Sequence, residues 1–270
     1  MTKGFLLFAH DNARVSYGTL AAWCAKRIHN FLDKPVSLAA DVTTVNNMIQ
    51  AGIDISVFDR IITSNGSTNQ VKRYHDELLP FQNFDRSQAW DLTPYDETII
   101  IDTDMVIQSS MLNKLWDSAH SMIACQKSRH VLGHPHTEFD YVSPYSVKFF
   151  WATEFYFRKD DQSQRFFNTC QWIKNNYWWQ AKVHDFDSRL IRNDFLWSLA
   201  IHYLGGAEGS DWMPIMPWTL PYSMDRGKIL EITEDSVLLG HESNQMCRVR
   251  GKDVHVMNKI DLQKFAKQEL

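Results

Sequence analysis

The chain has 270 residues, of which 44% are hydrophobic and 22% are charged, with a formal net charge of -4. This composition is ordinary for a globular enzyme and excludes a strongly basic nucleic-acid binder. The cysteines are widely spaced without a CxxC pair, which argues against a zinc knuckle or a disulfide framework. No apolar stretch approaches the roughly 20 residues that span a bilayer, and the N-terminus lacks the flanks of a signal peptide. We therefore expect a cytoplasmic protein without a membrane segment.

The first part of the chain predicts alternating strands and helices. The predicted elements are a strand over 4–9, a helix over 17–31, a strand over 36–40, a helix over 46–51, a strand over 60–63, a loop over 64–69, a polar helix over 71–79, a helix over 86–92 and a strand from 98. Such alternation favours an α/β fold with a mostly parallel central sheet and flanking helices, which binds ligands beyond the carboxyl ends of its strands. Asp11, Asp41, Asp102 and Asp104 fall at such ends.

The second part of the chain is rich in aromatic residues between 149 and 179. They either pack in the core or form a wall on which sugar or base rings stack. The elements predicted after this region are a helix over 192–203 with Asn193 as its N-cap, strands over 228–232, 236–239 and 254–257, and a polar helix from 261. We find no repeat and no linker, so one domain over 1–270 is the simplest organisation.

Two carboxylates interrupt the apolar segment TIIIDTDMVIQ, residues 98–108. Charged side chains at the mouth of a buried strand are usually paired or bound to a metal ion. Because residues i and i+2 of a strand share a face, Asp102 and Asp104 can reach one cation, while Thr103 points the other way. Two solvated aspartates in a turn are the alternative explanation.

Residues 86–104, RSQAWDLTPYDETIIIDTD, resemble the region that leads into the DxD motif of glycosyltransferase family 8, which includes glycogenin. The residues in register with that pattern are Arg86, Trp90, Leu92, Thr93, Tyr95, Asp102 and Asp104. Residues 4–21 look like the family's first strand, nucleotide-binding turn and first helix, and residues 254–259, VHVMNK, resemble its late histidine segment. The resemblance implies a GT-A-like α/β fold with a smaller acceptor-side subsheet. Residues 1–110 would form the nucleotide-sugar-binding half and residues 111–270 the acceptor-side half.

The chain departs from the family pattern in two places. The family's acceptor-side segment after the DxD motif has no clear counterpart, and residues 151–157 read WATEFYF. The histidine segment lacks the family's glycine and its KPW ending, so that Lys259 follows only four positions after His255. The acceptor chemistry therefore does not transfer, and the role of Lys259 is less well supported than that of His255.

The resemblance implies a metal site of Asp102, Asp104 and His255 that holds the diphosphate of a nucleotide-sugar donor. Two carboxylates suit Mn²⁺ or Mg²⁺, and an imidazole nitrogen favours Mn²⁺. Such a cation neutralises the diphosphate and stabilises it as a leaving group. Arg86 would meet the phosphate oxygens with its forked donors, although a surface ion pair is the alternative for this residue. Lys259 would approach the diphosphate.

The first turn of the chain supplies the candidates for binding the nucleoside. By resemblance, the donor would contact the backbone of Ala9 and His10, with Asp11 toward the ribose or the base and Tyr17 beside the base. Thr103, between the two aspartates, is a further donor-binding candidate. For Tyr17, packing of a helix residue on the sheet is an equally simple explanation.

The sugar and its acceptor have fewer candidates. Asp194 resembles the family's acidic residue that faces the sugar, although an acidic residue is also favourable at any helix N-terminus. Glu154 is a candidate for contacting the sugar or the acceptor. The sequence has two local basic clusters: Arg129, His130, His134 and His136, and Arg248, Arg250 and Lys252. Such clusters are usually solvated surfaces. If they lay beside the site, they would bind a phosphate-rich acceptor. A hydroxymethylated DNA base is therefore an alternative acceptor to a glycan.

These expectations together describe a metal-dependent glycosyltransferase that moves a sugar from a nucleoside diphosphate donor, a UDP-sugar, to a hydroxyl acceptor. The resemblance implies that the anomeric configuration is retained, and the sequence offers no firm nucleophile. A metal-dependent nucleotide-sugar phosphohydrolase is the rival enzyme class, because it would use the same aspartates and histidine. A non-catalytic protein that binds sugar nucleotides or glycans is the third alternative.

Overall fold

The computed structural model describes residues 1–64, 70–74, 77–81, 86–134, 137–206, 212–241 and 244–270. Its strands are β1 (Lys3–Ala9), β2 (Val36–Ala40), β3 (Arg60–Thr63), β4 (Gln70–Tyr74), β5 (Glu77–Phe81), β6 (Glu97–Ile101), β7 (Met105–Val106), β8 (Met122–Cys125), β9 (Ser128–His130), β10 (Trp151–Arg158), β11 (Leu220–Ser223), β12 (Lys228–Ile232), β13 (Ser236–Gly240), β14 (Met246–Arg250) and β15 (Val254–Val256). Its α-helices are α1 (Tyr17–Leu32), α2 (Val42–Gln50), α3 (Ala89–Leu92), α4 (Asp161–Asn175), α5 (Tyr177–His184), α6 (Asn193–Gly205) and α7 (Lys259–Glu269).

A six-stranded sheet in the order β3-β2-β1-β6-β10-β8 forms the centre of the fold. The first four strands in this order run parallel, whereas β10 is antiparallel to β6 and β8. Alternate residues of β1 divide between two cores: Phe5 and Leu7 share a core with α1, and Leu6 and Phe8 share one with α4 and α6. The predicted α/β architecture, with a mostly parallel sheet between helices, is confirmed.

A second, smaller sheet in the order β7-β15-β11-β9 begins directly after β6. β15 pairs antiparallel with β7 and parallel with β11, which in turn runs parallel to β9. Because β7 follows β6 after a short turn, this pairing brings the C-terminal segment against the end of the central sheet. The antiparallel sheet β12-β13-β14 and the hairpin β4-β5 complete the pairing among the described strands.

The helix predicted over 71–79 is wrong, because the chain forms the β4-β5 hairpin there. The spacing of Val71, Leu78 and Leu79 imitates a helical stripe, yet Val71 and Leu78 are exposed and only Leu79 joins a core. Pro80 falls within β5, where an edge strand tolerates the missing N–H. Of the loop predicted over 64–69, residues 65–69 lie outside the described residues.

Several predicted helix boundaries also need correction. α2 begins at Val42 rather than at residue 46, because the Asp41 carboxylate accepts a hydrogen bond from the Thr44 backbone N–H and caps the helix. Asn193 is the first residue of α6 rather than its N-cap, and Arg192 occupies the cap position without a side-chain capping bond. The region predicted as one helix over 86–92 divides into a 3-10 turn, Arg86–Gln88, and α3.

Most aromatic residues between 149 and 179 belong to the core. The buried ones are Phe149, Phe150, Trp151, Phe155, Tyr156, Phe157, Phe166, Phe167 and Tyr177. Trp172, Trp178 and Trp179 are exposed on α4 and α5. Core packing therefore explains most of this region. In the described part of the chain, no helix has both the length and the apolar character needed to cross a membrane.

Candidate metal and donor site

A cavity of about 380 Å³ opens where β1 and β6 end and β10 begins. Carboxyl ends of parallel strands are the usual ligand-binding edge of such a sheet. The predicted residues that line the cavity are His10, Tyr17, Arg86, Asp102, Thr103, Asp104, Asp194, His255 and Lys259. Ala9, Asp11 and Glu154 are not among its lining residues.

Asp102 and Asp104 converge because of a turn, not because of strand alternation. The three residues between β6 and β7 leave the strand geometry, and the Met105 N–H donates to the Asp102 carbonyl, 3.2 Å away. The Asp102 N–H donates to the carbonyl of Thr153 on β10 at 3.0 Å. The two carboxylates therefore come together as expected, although a turn and not an extended strand brings them there. Asp104 is almost fully buried, whereas Asp102 is partly exposed to the cavity.

His255 reaches the two aspartates because β15 pairs with β7, with His255 opposite Met105. The Val256 N–H donates to the Asp104 carbonyl at 3.0 Å, which fixes the register of the two segments. The Nε2 atom of His255 lies 3.2 Å from Asp104 Oδ2 and 3.7 Å from Asp102 Oδ2. The predicted ligand set therefore meets at one point, although 151 positions separate His255 from Asp104.

Two cationic side chains hold these carboxylates from the other sides. Lys259 Nζ lies 2.6 Å from Asp104 Oδ2, and the Arg86 guanidinium donates from Nη2 to Asp102 Oδ1. Burial alone would raise the pKa of Asp104, but the charges of Lys259 and His255 hold the pKa well below its usual value. Burial lowers the pKa of Arg86 to about 10, against the opposing charges of Asp194 and Asp104, so the guanidinium stays protonated at neutral pH.

The donor set fits a divalent cation. Asp102, Asp104 and His255 form, within the described part of the chain, a group whose ligand atoms lie within 4.8 Å of one another. Carboxylate oxygens suit Mg²⁺ and Mn²⁺, and the imidazole nitrogen shifts the preference toward Mn²⁺. The three side chains line an open cavity, so a bound ion would keep positions for a ligand such as a phosphate oxygen.

Asp194 stands on the side of the cavity formed by β10. Its Oδ1 atom accepts a hydrogen bond from the Ala152 N–H at 2.8 Å, and its Oδ2 atom accepts one from Arg192 Nη2 at 3.2 Å. The carbonyl of the same Ala152 accepts a hydrogen bond from Arg86 Nη1 at 2.6 Å. One backbone unit of β10 therefore fixes both Arg86 and Asp194 relative to the aspartate turn.

The candidate residues at the end of β1 and in the turn after it do not all line the cavity. Tyr17 and His10 line the cavity, and the Nδ1 atom of the His10 imidazole contacts the Asp41 carboxylate. Asp11 faces away, because its carboxylate accepts hydrogen bonds from the Gly18 N–H at 2.9 Å and from Asn47 Nδ2 at 3.0 Å. Asp11 thus joins the start of α1 to the middle of α2. Ala9 is buried at the end of β1, so a donor would contact only the chain that follows it.

Glu154 lies inside the protein behind the cavity wall. Its side chain is buried on β10, and its Oε2 atom accepts a hydrogen bond from Trp218 Nε1 at 3.2 Å. Burial first, and the charge of Asp253 second, raise the pKa of Glu154 to about 7. This position makes Glu154 a buried polar group beside the site rather than a group that meets a ligand in the cavity.

Some residues of the cavity have no counterpart among the sequence-based candidates. They are Asn12, Glu138, Phe139, Trp151, Arg192, Asn193, Met224, Asp225 and Met257. Asn12 and Asn193 adjoin residues that the sequence did single out, so their neighbours were a usable signal. Met224 and Asp225 lie in the connection between β11 and β12, where no periodic pattern marks them.

The two basic clusters do not form one surface at the site. His130 and His134 line a separate cavity together with His241, whereas His136 lies outside the described residues. Arg248 and Arg250 lie on β14 and form ion pairs with Glu231 at 2.5 Å and with Asp235 at 3.6 Å, respectively. These pairs are typical of a solvated strand face.

No protein-family model matches the chain, and no curated protein matches it significantly. Among solved structures, the glycosyltransferase GlyE of Streptococcus pneumoniae is 12% identical, with 80% of this chain and 46% of GlyE aligned at a TM-score of 0.44. The galactosyltransferase LgtC in complex with donor and acceptor sugar analogs is 14% identical, with 74% of this chain and 70% of LgtC aligned at a TM-score of 0.44. Mouse xyloside xylosyltransferase 1 is 10% identical, with 80% of this chain and 85% of the mouse chain aligned at a TM-score of 0.46. This chain thus spans less than half the length of GlyE, and these likenesses are too low to assign it an activity.

Proposed function

We propose that the protein is a metal-dependent glycosyltransferase that moves a sugar from a nucleoside diphosphate donor, a UDP-sugar, to a hydroxyl acceptor. The observation that carries the proposal is the convergence of Asp102, Asp104 and His255 with Arg86 and Lys259 in one open cavity. This set combines a cation site with two protein cations, which together suit a diphosphate.

The charges of the site explain how a donor would be held. In the described structure, Arg86 and Lys259 offset the two aspartates. A divalent cation held by the aspartates and His255 would neutralise the diphosphate and stabilise it as a leaving group. Once the carboxylates bind that cation, Arg86 and Lys259 are available to donate hydrogen bonds to the phosphate oxygens. Arg86 and Lys259 would therefore pair with the aspartates in the absence of a donor and with the phosphate oxygens in its presence.

The order of strands in the central sheet gives the donor an orientation. Tyr17 and Asn12 follow β1, the aspartate turn follows β6, and Asp194 is bonded to β10. Since β1, β6 and β10 are neighbours in that order, the nucleoside would lie toward Tyr17, the diphosphate at the aspartates and the sugar toward Asp194. Thr103 and His10 also line this cavity and are the remaining candidates for contacts with the donor.

We also propose that the anomeric configuration is retained. Both carboxylate oxygens of Asp194 accept hydrogen bonds, so this side chain is suited to positioning the sugar rather than to attacking it. In a front-face reaction, the bond from the anomeric carbon to the diphosphate oxygen breaks, and the acceptor oxygen bonds on the same face. The acceptor proton passes to the departing diphosphate. Proton NMR of the product would show the donor's anomeric configuration, and an inverted product would contradict this mechanism.

Product analysis with a panel of UDP-sugars and Mn²⁺ tests the activity. We expect release of UDP together with free sugar or a glycosylated acceptor, and a loss of at least about 100-fold in kcat/KM for Asp104→Asn, a typical effect of removing a metal ligand. The matched control is Asp117→Asn, because Asp117 is an exposed aspartate outside the cavity.

The products also separate the competing functions. A phosphohydrolase would cleave within the diphosphate and release UMP and a sugar phosphate. A non-catalytic binding protein would bind the donor in the presence of Mn²⁺ without turnover across many acceptors. Either outcome would replace the proposed transferase, while leaving the donor site itself in place.

A further inference from the structure

A second cavity, of about 850 Å³, adjoins the donor cavity and has no role in the site described above. We call it the acidic cavity. It lies between the segment around Thr137–Phe139 and the segment that connects α5 to α6. Glu138, Leu190 and Arg192 line both cavities, so the two cavities share part of their walls. Its volume is in the range of small-molecule binding sites.

The position of the acidic cavity matches the direction from which an acceptor must approach. If the donor is oriented as proposed, its sugar lies at Asp194, and Arg192 bridges from Asp194 into the acidic cavity. Phe195, the next residue of α6, also lines this cavity. An acceptor hydroxyl that enters here meets the sugar without crossing the nucleoside or the diphosphate.

The lining of this cavity carries more carboxylates than cations, and all four carboxylates are exposed. Its described charged side chains are the carboxylates Glu138, Asp140, Asp185 and Asp187 and the guanidinium of Arg192. The guanidinium is itself paired with Asp194, and Asp187 is paired with Arg189 at 2.7 Å.

The cavity also offers an aromatic surface. Tyr141 lines it, and 49% of this residue is exposed. The flat face of an aromatic ring is a suitable surface for the apolar face of a sugar ring. The opposite wall carries Phe186 and Leu190. A cavity with one exposed ring and several carboxylates suits a hydroxyl-rich molecule that brings no negative charge.

We propose that the acidic cavity is the acceptor subsite and that it selects amino sugars over neutral sugars and rejects polyanionic acceptors. This inference rests on the proposed transferase function, and it deepens that function by naming the acceptor class. It disfavours the hydroxymethylated DNA base considered from the sequence, because nucleic-acid phosphates would face the carboxylates of the cavity. Like charges placed against each other across an interface are strongly unfavourable.

An acceptor panel tests the proposal. Initial transfer rates are measured with the UDP-sugar that gives the largest Mn²⁺-dependent rise in melting temperature. The acceptors are a glucosamine trisaccharide, maltotriose, a heparin-derived tetrasaccharide and an oligonucleotide that contains hydroxymethylcytosine. We expect the glucosamine trisaccharide to exceed maltotriose by about tenfold, with both anionic acceptors slower still, and we expect added salt to weaken this order.

The double variant Asp140→Asn/Asp185→Asn tests whether the carboxylates of the acidic cavity cause the acceptor preference. Asparagine keeps the size of both side chains, and it tolerates the left-handed backbone of Asp185, whose φ is 52°. We expect the preference for the amino sugar over maltotriose to fall toward unity in this variant, while Asp117→Asn keeps the wild-type preference. Thermal unfolding of each variant shows whether it is folded.

The outcomes separate this inference from the function on which it rests. Transfer by the wild type with equal rates for cationic, neutral and anionic acceptors would overturn the inference and leave the transferase function standing. An unchanged preference in a folded double variant would also overturn it. Failure to release UDP from any donor with Mn²⁺ would overturn both.

Discussion

At the scale of single residues, Asp104 joins the aspartate turn to the C-terminal segment of the site. Lys259 and His255 contact its carboxylate, and its carbonyl accepts the hydrogen bond that fixes β15. The lowered pKa of Asp104 keeps the carboxylate charged throughout the range in which the protein is expected to work. A group that is buried, charged and open to a cavity is typical of a functional position.

The loss of this charge should disable the site without unfolding the protein. In Asp104→Asn, an amide replaces the carboxylate that we propose as a metal ligand, and Lys259 loses its charged partner. We expect donor turnover with Mn²⁺ to fall at least about 100-fold, equivalent to about 3 kcal/mol of transition-state stabilisation. Steady-state kinetics beside Asp117→Asn measures the change. Turnover within about twofold of the wild type would remove Asp104 from the metal site.

The buried carboxyl of Glu154 should make the free energy of unfolding, rather than the catalytic rate, depend on pH. Burial raises its pKa from an ordinary value of 4.5 to about 7 in the folded state, so the folded protein binds its proton more tightly than the unfolded chain does. This contribution is present below the unfolded pKa and is lost as the pH rises through about 7, and it amounts to about 3 kcal/mol. Stability should therefore fall between about pH 4.5 and pH 7 on account of this group.

The isosteric variant Glu154→Gln isolates this effect. Glutamine retains an acceptor for Trp218 Nε1 and does not titrate, so its free energy of unfolding should depend less on pH than that of the wild type. Urea unfolding at several pH values between 4.5 and 8 measures the difference. Parallel pH profiles for the two proteins would show that Glu154 titrates as an exposed carboxyl does.

The sequence identified individual polar residues near the site more readily than the contacts that they make. The pair Asp102 and Asp104 was noticeable because charge interrupts an apolar strand, but the turn that joins them was not predicted from alternation. Asp11 was selected for its position after β1, yet its carboxylate joins the start of α1 to α2. Composition and position identify a polar side chain, whereas its partner depends on the fold.

At the scale of secondary structure elements, the motif that precedes the DxD triplet has a structural role. The Tyr95 ring covers Gly4 on β1, and its hydroxyl lies 2.8 Å from Ser37 Oγ on β2. Thr93 and Thr98 share a hydrogen bond of 2.6 Å between their hydroxyls. These contacts tie the segment before β6 to the neighbouring strands and thereby fix where the aspartate turn begins.

The contact between Tyr95 and Gly4 gives a stability prediction. A Cβ at residue 4 would lie 2.4 Å from carbon atoms of the Tyr95 ring, which is buried and held by its hydroxyl. We expect Gly4→Ala to destabilise the protein by about 2 kcal/mol, a typical cost of overpacking a core. Chemical denaturation measures this change.

A glycine in another strand provides the control. At Gly240 on β13, a Cβ would lie 3.0 Å from Leu230 Cδ1, and Leu230 is half exposed and able to move. Gly240→Ala should therefore change the free energy of unfolding by less than about 0.5 kcal/mol. Equal effects at the two glycines would show that Tyr95 does not restrict residue 4.

The elements themselves divide into predictable and unpredictable ones for a physical reason. β1, β2 and β6 are mostly apolar segments buried in the parallel part of the sheet, and such segments are recognisable in a sequence. In the hairpin β4-β5, Val71 and Leu78 are exposed and Leu79 joins a core, so this spacing of apolar residues resembled a helix. The periodicity of apolar residues identifies elements that have one side facing the core. It failed for the β4-β5 hairpin, whose strands are recognisable only by their pairing.

At the scale of the whole molecule, the site depends on contacts between distant parts of the chain. β15 joins β7, α6 packs on β10, and Arg86 contacts both the aspartate turn after β6 and strand β10. The sequence alone gave no reason to bring residue 255 to residue 104, and only the resemblance to a known family did so. The order of β1, β6 and β10 is likewise a property of the sheet, and it supplies the proposed orientation of the donor.

The central claim is that a metal held by Asp102, Asp104 and His255 binds a nucleoside diphosphate. The most direct measurement is the melting temperature of the protein with UDP and Mn²⁺, separately and together, for the wild type, Asp104→Asn and Asp117→Asn. Ligands at about 100 times their dissociation constant should raise it by about 5 °C in the wild type and in Asp117→Asn, and only when both are present. An equal rise with UDP and a metal chelator, or in Asp104→Asn, would contradict the claim.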